Sequence, residues 1–127
     1  MGACTHDPKR LMIVTELMRT DLEKYLRNPR NKSSLTLYRR MLLARDAALG
    51  LSWLHGSDPI FIHRDVKPSN FLLDDALRCK ITDFGLSQIR HRGERLVDRA
   101  GAVGTPLYMA PEVLNGAPFT EKSDVYR

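Results

Sequence analysis

The chain has 127 residues, 43% of them hydrophobic and 28% charged, and a formal net charge of +5. These values are typical of a folded globular protein and exclude a disordered tail, and the length suits one domain or part of one. No apolar run is long enough to span a membrane, and no signal peptide is evident at the N-terminus. The two cysteines lie far apart without zinc-type spacing, which favours reduced thiols in a cytoplasmic protein.

Basic side chains are concentrated in residues 19–45, where eight stand against two acidic ones. Residues 90–99 add four arginines against two acidic residues. No aromatic-studded basic groove or zinc motif accompanies either stretch, so we expect a solvated helix face and no nucleic-acid partner.

The first predicted elements are a strand and two helices. The apolar run at residues 11–15 predicts a buried strand, and residues 21–27 predict a short helix. Apolar residues spaced by three and four predict a longer helix of about five turns. We expect Ser33 or Ser34 to cap its start and Gly56 to end it. The apolar residues are Leu37, Met41, Ala44, Ala48 and Leu51.

The second half of the chain predicts shorter elements. Strands are expected at residues 60–62, 71–73 and 78–82, the last two as a hairpin, and helical turns are expected at 112–115 and from 121 onward. Residues 86–105 show neither the helical nor the strand periodicity of apolar residues. They therefore predict an irregular surface segment, which in a compact domain is usually functional.

Three ordered motifs indicate a family. Residues 63–70 read His-Arg-Asp-Val-Lys-Pro-Ser-Asn, residues 83–85 read Asp-Phe-Gly, and residues 110–112 read Ala-Pro-Glu. They resemble the catalytic loop, the magnesium motif and the end of the activation segment of eukaryotic-type protein kinases. The resemblance implies an incomplete protein-kinase-like α+β fold: the end of the N-lobe, the hinge and the first half of the mainly helical C-lobe.

The resemblance also implies boundaries within a partial protein kinase domain at residues 1–127. Residues 1–15 would be the last N-lobe strands, 16–20 the hinge, and 21–127 the C-lobe through the catalytic loop, the activation segment and the start of the central helix. The glycine-rich loop and its lysine have no counterpart here, so we expect the isolated chain to be inactive. The alternative is a truncated, catalytically inactive kinase-like binding or decoy module.

Four residues would carry the chemistry. Phosphoryl transfer needs positioning and charge neutralisation, which Asp65 would supply at the substrate hydroxyl and Lys67 at the phosphate. Asn70 and Asp83 offer the hard oxygen ligands that suit Mg²⁺ held together with ATP phosphates. The alternative is that Asp65 and Asp83 are turn residues.

By the same resemblance, five residues would bind the nucleotide. Thr15 matches the gatekeeper, the backbone of Glu16 and Met18 would bond adenine, and Leu72 would form the adenine floor. Asp21 matches a ribose-contacting carboxylate, although it could equally cap the following helix, and one carboxylate can serve both roles.

The substrate class follows from Lys67 and from the sequence of residues 104–108, Gly-Thr-Pro-Leu-Tyr, which match the serine/threonine-kinase pattern. The implied partner is a protein substrate bearing Ser or Thr, and the tyrosine-kinase-like, Raf-like group is the best match. In such kinases Thr105 would bridge Asp65 and Lys67, and Asp124 would brace the catalytic loop.

Regulation departs from common family practice. Between residues 85 and 105 the only hydroxyl residue is Ser87, so we expect Asp98, or Glu94, to supply a fixed negative charge to Arg64 in place of a phosphate. The alternative is a solvated Asp98 paired with nearby arginines.

Overall fold

The computed structural model describes residues 2–7, 10–94 and 103–127. These ranges contain four α-helices and seven short strands, which confirms the expected α+β class. The strands are β1 (Gly2–Cys4), β2 (Met12–Val14), β3 (Thr20–Asp21), β4 (Ile60–Ile62), β5 (Phe71–Leu73), β6 (Cys79–Ile81) and β7 (Gln88–Arg90). The helices are α1 (Leu22–Arg27), α2 (Leu37–Gly56), α3 (Pro111–Leu114) and α4 (Glu121–Tyr126).

The strands form three small antiparallel sheets. β1 pairs with β2, β4 pairs with β7, and β5 lies between β3 and β6. The expected hairpin is confirmed as β5–β6, and the Asp74 carboxylate closes its turn by accepting a hydrogen bond from the Arg78 backbone N–H at 2.9 Å. The loop at residues 63–70 therefore leaves one sheet at β4 and enters another at β5.

Two hydrophobic clusters flank that loop. The first packs α1 and α2 against β5 and β6, and its buried members are Tyr25, Leu35, Leu43, Val66, Phe71, Leu73 and Cys79. The second joins β4 to the segment before α4, through Ile60, Ile62, Met109, Ala110, Val113 and Phe119. Val66 belongs to the first cluster, so the loop itself is anchored in a core.

Helix α2 forms where the sequence predicts it but buries a different face. Leu37 and Met41 are exposed, whereas Leu43 and Leu54 are buried. Apolar residues occur on nearly every side of this helix, so periodicity could not select the side that meets β6 and β4. The expected cap at Ser33 or Ser34 is also wrong, because the Thr36 hydroxyl accepts from the Arg39 N–H at 3.2 Å.

Two further expectations need correction. β2 forms within residues 11–15, but it is not buried: Ile13 is 81% exposed, because β2 pairs only with β1 and no other described layer covers it. Residues 86–105 are not wholly irregular, since residues 88–90 form β7 through backbone pairing with β4, which side-chain periodicity does not reveal. Residues 95–102 lie outside the described ranges.

No helix within the described ranges is long and apolar enough to cross a membrane.

The two cysteines should differ sharply in reactivity. Cys79 is buried in the first cluster and Cys4 is exposed, and both are free thiols. Burial, followed by the nearby Asp46 carboxylate, raises the pKa of the Cys79 thiol to about 12. We expect iodoacetamide at pH 8 to alkylate Cys4 and leave Cys79 unmodified, as read by mass spectrometry. In urea both should react, and fast native alkylation of Cys79 would contradict the packing described.

Candidate active site

The loop between β4 and β5 concentrates hydrogen bonds on one buried carboxylate, that of Asp65. The Lys67 ammonium lies 2.6 Å from Oδ2, and the Thr105 backbone N–H and hydroxyl both donate to Oδ1 at 3.0 Å. Lys67 also donates to the Thr105 hydroxyl oxygen at 2.9 Å, which confirms that Thr105 bridges Asp65 and Lys67. Burial alone would raise the pKa of the Asp65 carboxyl, but the bonds from Lys67 and Thr105 outweigh it and hold that pKa below its usual value. Asp65 is therefore an ionised, oriented carboxylate.

Asn70 is oriented by the same residue. Its amide nitrogen donates to the Asp65 backbone carbonyl at 2.9 Å and to Asp65 Oδ2 at 3.1 Å. Because both partners are acceptors, the nitrogen must face Asp65, and the side-chain oxygen is left as the atom that can ligate a cation.

The loop backbone is held by Asp124 of α4. This fully buried carboxylate accepts the His63 N–H at 2.7 Å, the Arg64 N–H at 2.9 Å and a bond from His55 Nε2 at 3.0 Å. The expected bracing role of Asp124 is confirmed. Arg64 has a φ of 66°, so these bonds hold a backbone turn in the left-handed region that favours glycine.

His63 is a packed core residue. Its ring is fully buried, Nε2 lies 2.9 Å from the Thr82 carbonyl, and the Asp65 N–H lies 3.3 Å from Nδ1. These partners require a proton on Nε2 and a free lone pair on Nδ1. The Phe84 ring lies against it, with centroids 5.4 Å apart. His63 thus joins the catalytic loop to the segment that carries Asp83.

Asp83 is exposed and has a φ of 65°. The preceding residue, Thr82, donates its backbone N–H to the Asn70 carbonyl at 3.0 Å. The backbone segments that carry the two candidate cation ligands, Asn70 and Asp83, are therefore hydrogen-bonded to each other. No three His, Cys, Asp or Glu side chains cluster as a metal cage within the described ranges. A site with one or two protein carboxylates suits Mg²⁺, because this ion takes its remaining ligands from phosphate oxygens and water.

Three of the five residues expected to bind a nucleotide lie at or beside the sheet that contains β5. Asp21 in β3 pairs with Leu72, and Leu72 pairs across the hairpin with Lys80. The Lys80 ammonium contacts both carboxylate oxygens of Glu16, at 2.6 and 2.7 Å. Thr15 is exposed and Met18 is half-buried. Glu16, Leu72 and Asp21 are therefore brought to one side of the β3–β5–β6 sheet.

Asp21 caps α1. Its Oδ1 accepts the Lys24 N–H at 2.8 Å, and its Oδ2 pairs with the Lys24 ammonium at 2.8 Å. Burial would raise the pKa of the Asp21 carboxyl, but the bonds from Lys24 together outweigh it and lower that pKa below its usual value. The capping alternative is confirmed, and the ribose contact stays a proposal.

Loss of this cap should be measurable in urea denaturation. We expect Asp21→Ala to lower the free energy of unfolding by about 1 kcal/mol, and Asp21→Asn, which keeps an acceptor oxygen, to cost less. Because the folded-state pKa is lowered, the stabilisation from the charge is present above the unfolded-state pKa and is lost as the pH falls through the folded-state value. An equal cost for both variants at pH 7, or a cost independent of pH, would contradict this account.

The structure describes Glu94 but not Asp98, the two acidic residues expected to supply a negative charge to Arg64. Asp98 lies outside the described residues. Glu94 is exposed, and its carboxylate accepts the His91 N–H at 3.1 Å within its own loop. Arg64 donates through Nε to the Leu86 carbonyl and through Nη1 to Gln88 Oε1 at 3.4 Å.

Two residues of the site were missed by sequence analysis. His55 reaches Asp124 from the end of α2, and Arg127 contacts the catalytic loop from the end of α4. Neither belongs to a motif quoted above. Asp124, the partner of His55, and Arg64, one partner of Arg127, are more than 60 residues away in sequence, so no local signal could have found these contacts.

Comparison with known proteins gives one result throughout. The model of the protein kinase domain family matches residues 1–127. The chain is 59% identical over 127 residues to the dual specificity protein kinase shkA of Dictyostelium discoideum, covering 99% of the chain and 24% of that protein. For shkD of the same organism the identity is 56%, covering 99% and 16%. For the serine/threonine-protein kinase CTR1 of Arabidopsis thaliana it is 42%, covering 99% and 15%. The chain thus spans about a quarter or less of these relatives.

Proposed function

The chain belongs to the protein kinase domain family, and on that premise we propose that it serves ATP-dependent phosphoryl transfer to serine and threonine side chains of proteins. The observation that supports this best is the convergence of Lys67, Asn70 and Thr105 on the Asp65 carboxylate. A decoy module without catalysis would not need these groups at bonding distance. We also propose the domain boundaries stated above, and a cytoplasmic location, which the two free thiols favour.

In the proposed mechanism Asp65 orients the substrate hydroxyl and accepts its proton. Its low pKa means that the carboxylate is ionised at neutral pH, and Thr105 and Lys67 leave it little freedom to turn. Positioning and fixed charge supply most of the rate in this chemistry. The Lys67 ammonium, which already bonds Asp65 and Thr105, would lie beside the phosphate that is transferred.

The proposed cofactors are ATP and Mg²⁺, which supply the phosphoryl group and neutralise its charge. Asn70 and Asp83 would hold the cation through their side-chain oxygens. The backbone of Glu16 and Met18 would bond adenine, beside Thr15 and above Leu72. Asp21 would contact ribose only by sharing a carboxylate that already caps α1.

A second candidate is transfer to tyrosine as well, because shkA and shkD are named dual specificity kinases. The test is to incubate a protein that carries this chain with Mg-ATP and matched peptides that differ only in Ser, Thr or Tyr. We expect transfer to the Ser and Thr peptides that stops when EDTA removes Mg²⁺. Equal transfer to Tyr would establish dual specificity, and ATP-independent or absent transfer would contradict the proposal.

A further inference from the structure

The Arg127 side chain is wholly buried behind the catalytic loop. Its Nη1 donates to the Arg64 carbonyl at 2.6 Å, its Nη2 donates to the Thr105 carbonyl at 3.0 Å, and Nη2 lies 3.5 Å from Asp65 Oδ1. One planar guanidinium therefore touches both the backbone that carries Asp65 and the segment that donates two hydrogen bonds to it.

Such burial is costly for a cation and needs compensation. Burial lowers the pKa of Arg127, and the Asp65 and Asp124 carboxylates oppose that shift. The guanidinium also lies over the Phe119 ring, 6.0 Å from its centroid. An arginine suits this position because its rigid fork can bond two carbonyls at once, which a lysine cannot do with the same geometry.

Gly104 permits the close approach of these segments. Its φ is +102°, and a Cβ there would lie 2.7 Å from the Arg64 carbonyl oxygen and 3.0 Å from Arg127 Nη2. A side chain at this position would separate the catalytic loop from Thr105, so the glycine and the arginine together determine their spacing.

We propose that Arg127 is a positioning residue, which fixes the Asp65 carboxylate by bridging the catalytic-loop backbone to Thr105. That the positioned carboxylate acts in catalysis rests on the proposed function, whereas the bridge itself does not. The Arg127 bridge ties α4 to the same loop that Asp124 already holds from the same helix.

Three variants separate this role from a general effect of burial. Arg127→Gln removes the charge and the fork, and Arg127→Lys keeps the charge alone. Arg90→Gln is the matched control, because Arg90 also pairs with a carboxylate, Glu121, at 2.9 Å. Within the described residues, both arginines have a buried Nε without a hydrogen-bond partner.

The readouts are hydrogen exchange of the Thr105 amide and the carbonyl ¹³C shifts of Arg64 and Thr105, both by NMR on this chain. We expect exchange about tenfold to a hundredfold faster in both Arg127 variants. The carbonyl shifts of Arg64 and Thr105 should move upfield in Arg127→Gln, where the two bonds are lost, and less in Arg127→Lys, which can keep one of them. Arg90→Gln should change neither readout, even where it lowers the unfolding midpoint. No change in Arg127→Gln, or equal changes in Arg90→Gln, would overturn the proposal.

A wild-type measurement covers the case in which the Arg127 variants do not fold. The guanidinium protons of Arg127 should then exchange slowly with solvent, as expected for donors bonded to the Arg64 and Thr105 carbonyls, and a freely exchanging guanidinium would overturn the proposal. In a protein with measurable transfer, Arg127→Gln should lower kcat at least about tenfold and leave KM for ATP unchanged. Absent transfer in the wild type would instead count against the proposed function, while the NMR result would stand.

Discussion

In a protein that carries this chain, Asp65→Asn is expected to lower kcat for the proposed phosphoryl transfer by about 10²- to 10⁴-fold, the range usual for loss of a positioned acid–base group. The amide has nearly the same shape, but it cannot accept the substrate proton and carries no charge to pair with Lys67, 2.6 Å away. KM for ATP should change little, because the proposed adenine contacts lie at Glu16, Met18 and Leu72. Steady-state kinetics with Mg-ATP and a Ser peptide separate the two parameters.

The matched control for this variant is Asp75→Asn. Asp75 is exposed in the turn of the β5–β6 hairpin and contacts none of the site residues named above, so its kinetics should equal those of wild type. Thermal unfolding of both variants checks that the fold persists. If Asp65→Asn kept more than about a tenth of the wild-type kcat while folded, Asp65 would not have the assigned role.

Asp124→Ala should have the largest effect on stability, about 3–5 kcal/mol in the free energy of unfolding. The carboxylate is fully buried and accepts the His63 N–H, the Arg64 N–H and the His55 ring nitrogen. Alanine leaves these donors without their acceptor, and His63 is fully buried. Urea denaturation measures the loss.

A total stability of about 5–15 kcal/mol means that this variant could unfold at room temperature, so Asp124→Asn is the second variant. Its single acceptor oxygen should give an intermediate loss, together with faster amide exchange at His63 and Arg64. The exposed Asp75→Ala serves as the control and should lie within about 0.5 kcal/mol of wild type. A loss as small as this for Asp124→Ala would refute the bracing role.

The sequence by itself determined the local elements and the family. Short-range patterns placed α1, α2 and the β5–β6 hairpin, because helix periods, caps and turn residues act over a few positions. The ordered motifs around Asp65 and Asp83 indicated the protein kinase family, and the family match over residues 1–127 confirms it. The expectations for Asp124 and Thr105 also came from the resemblance, and the geometry confirms both.

The tertiary structure alone decided which surfaces are covered and which distant residues meet. The buried face of α2 depends on where β4 and β6 lie, and the exposure of Ile13 depends on what packs against β2. β7 forms through backbone pairing with β4, 28 residues away at the Phe61–Ile89 pair, and backbone bonds leave little trace in side-chain pattern. Arg127 meets Asp65 for the same reason: a contact across 62 residues is set by how the chain folds back, and local sequence carries no record of it.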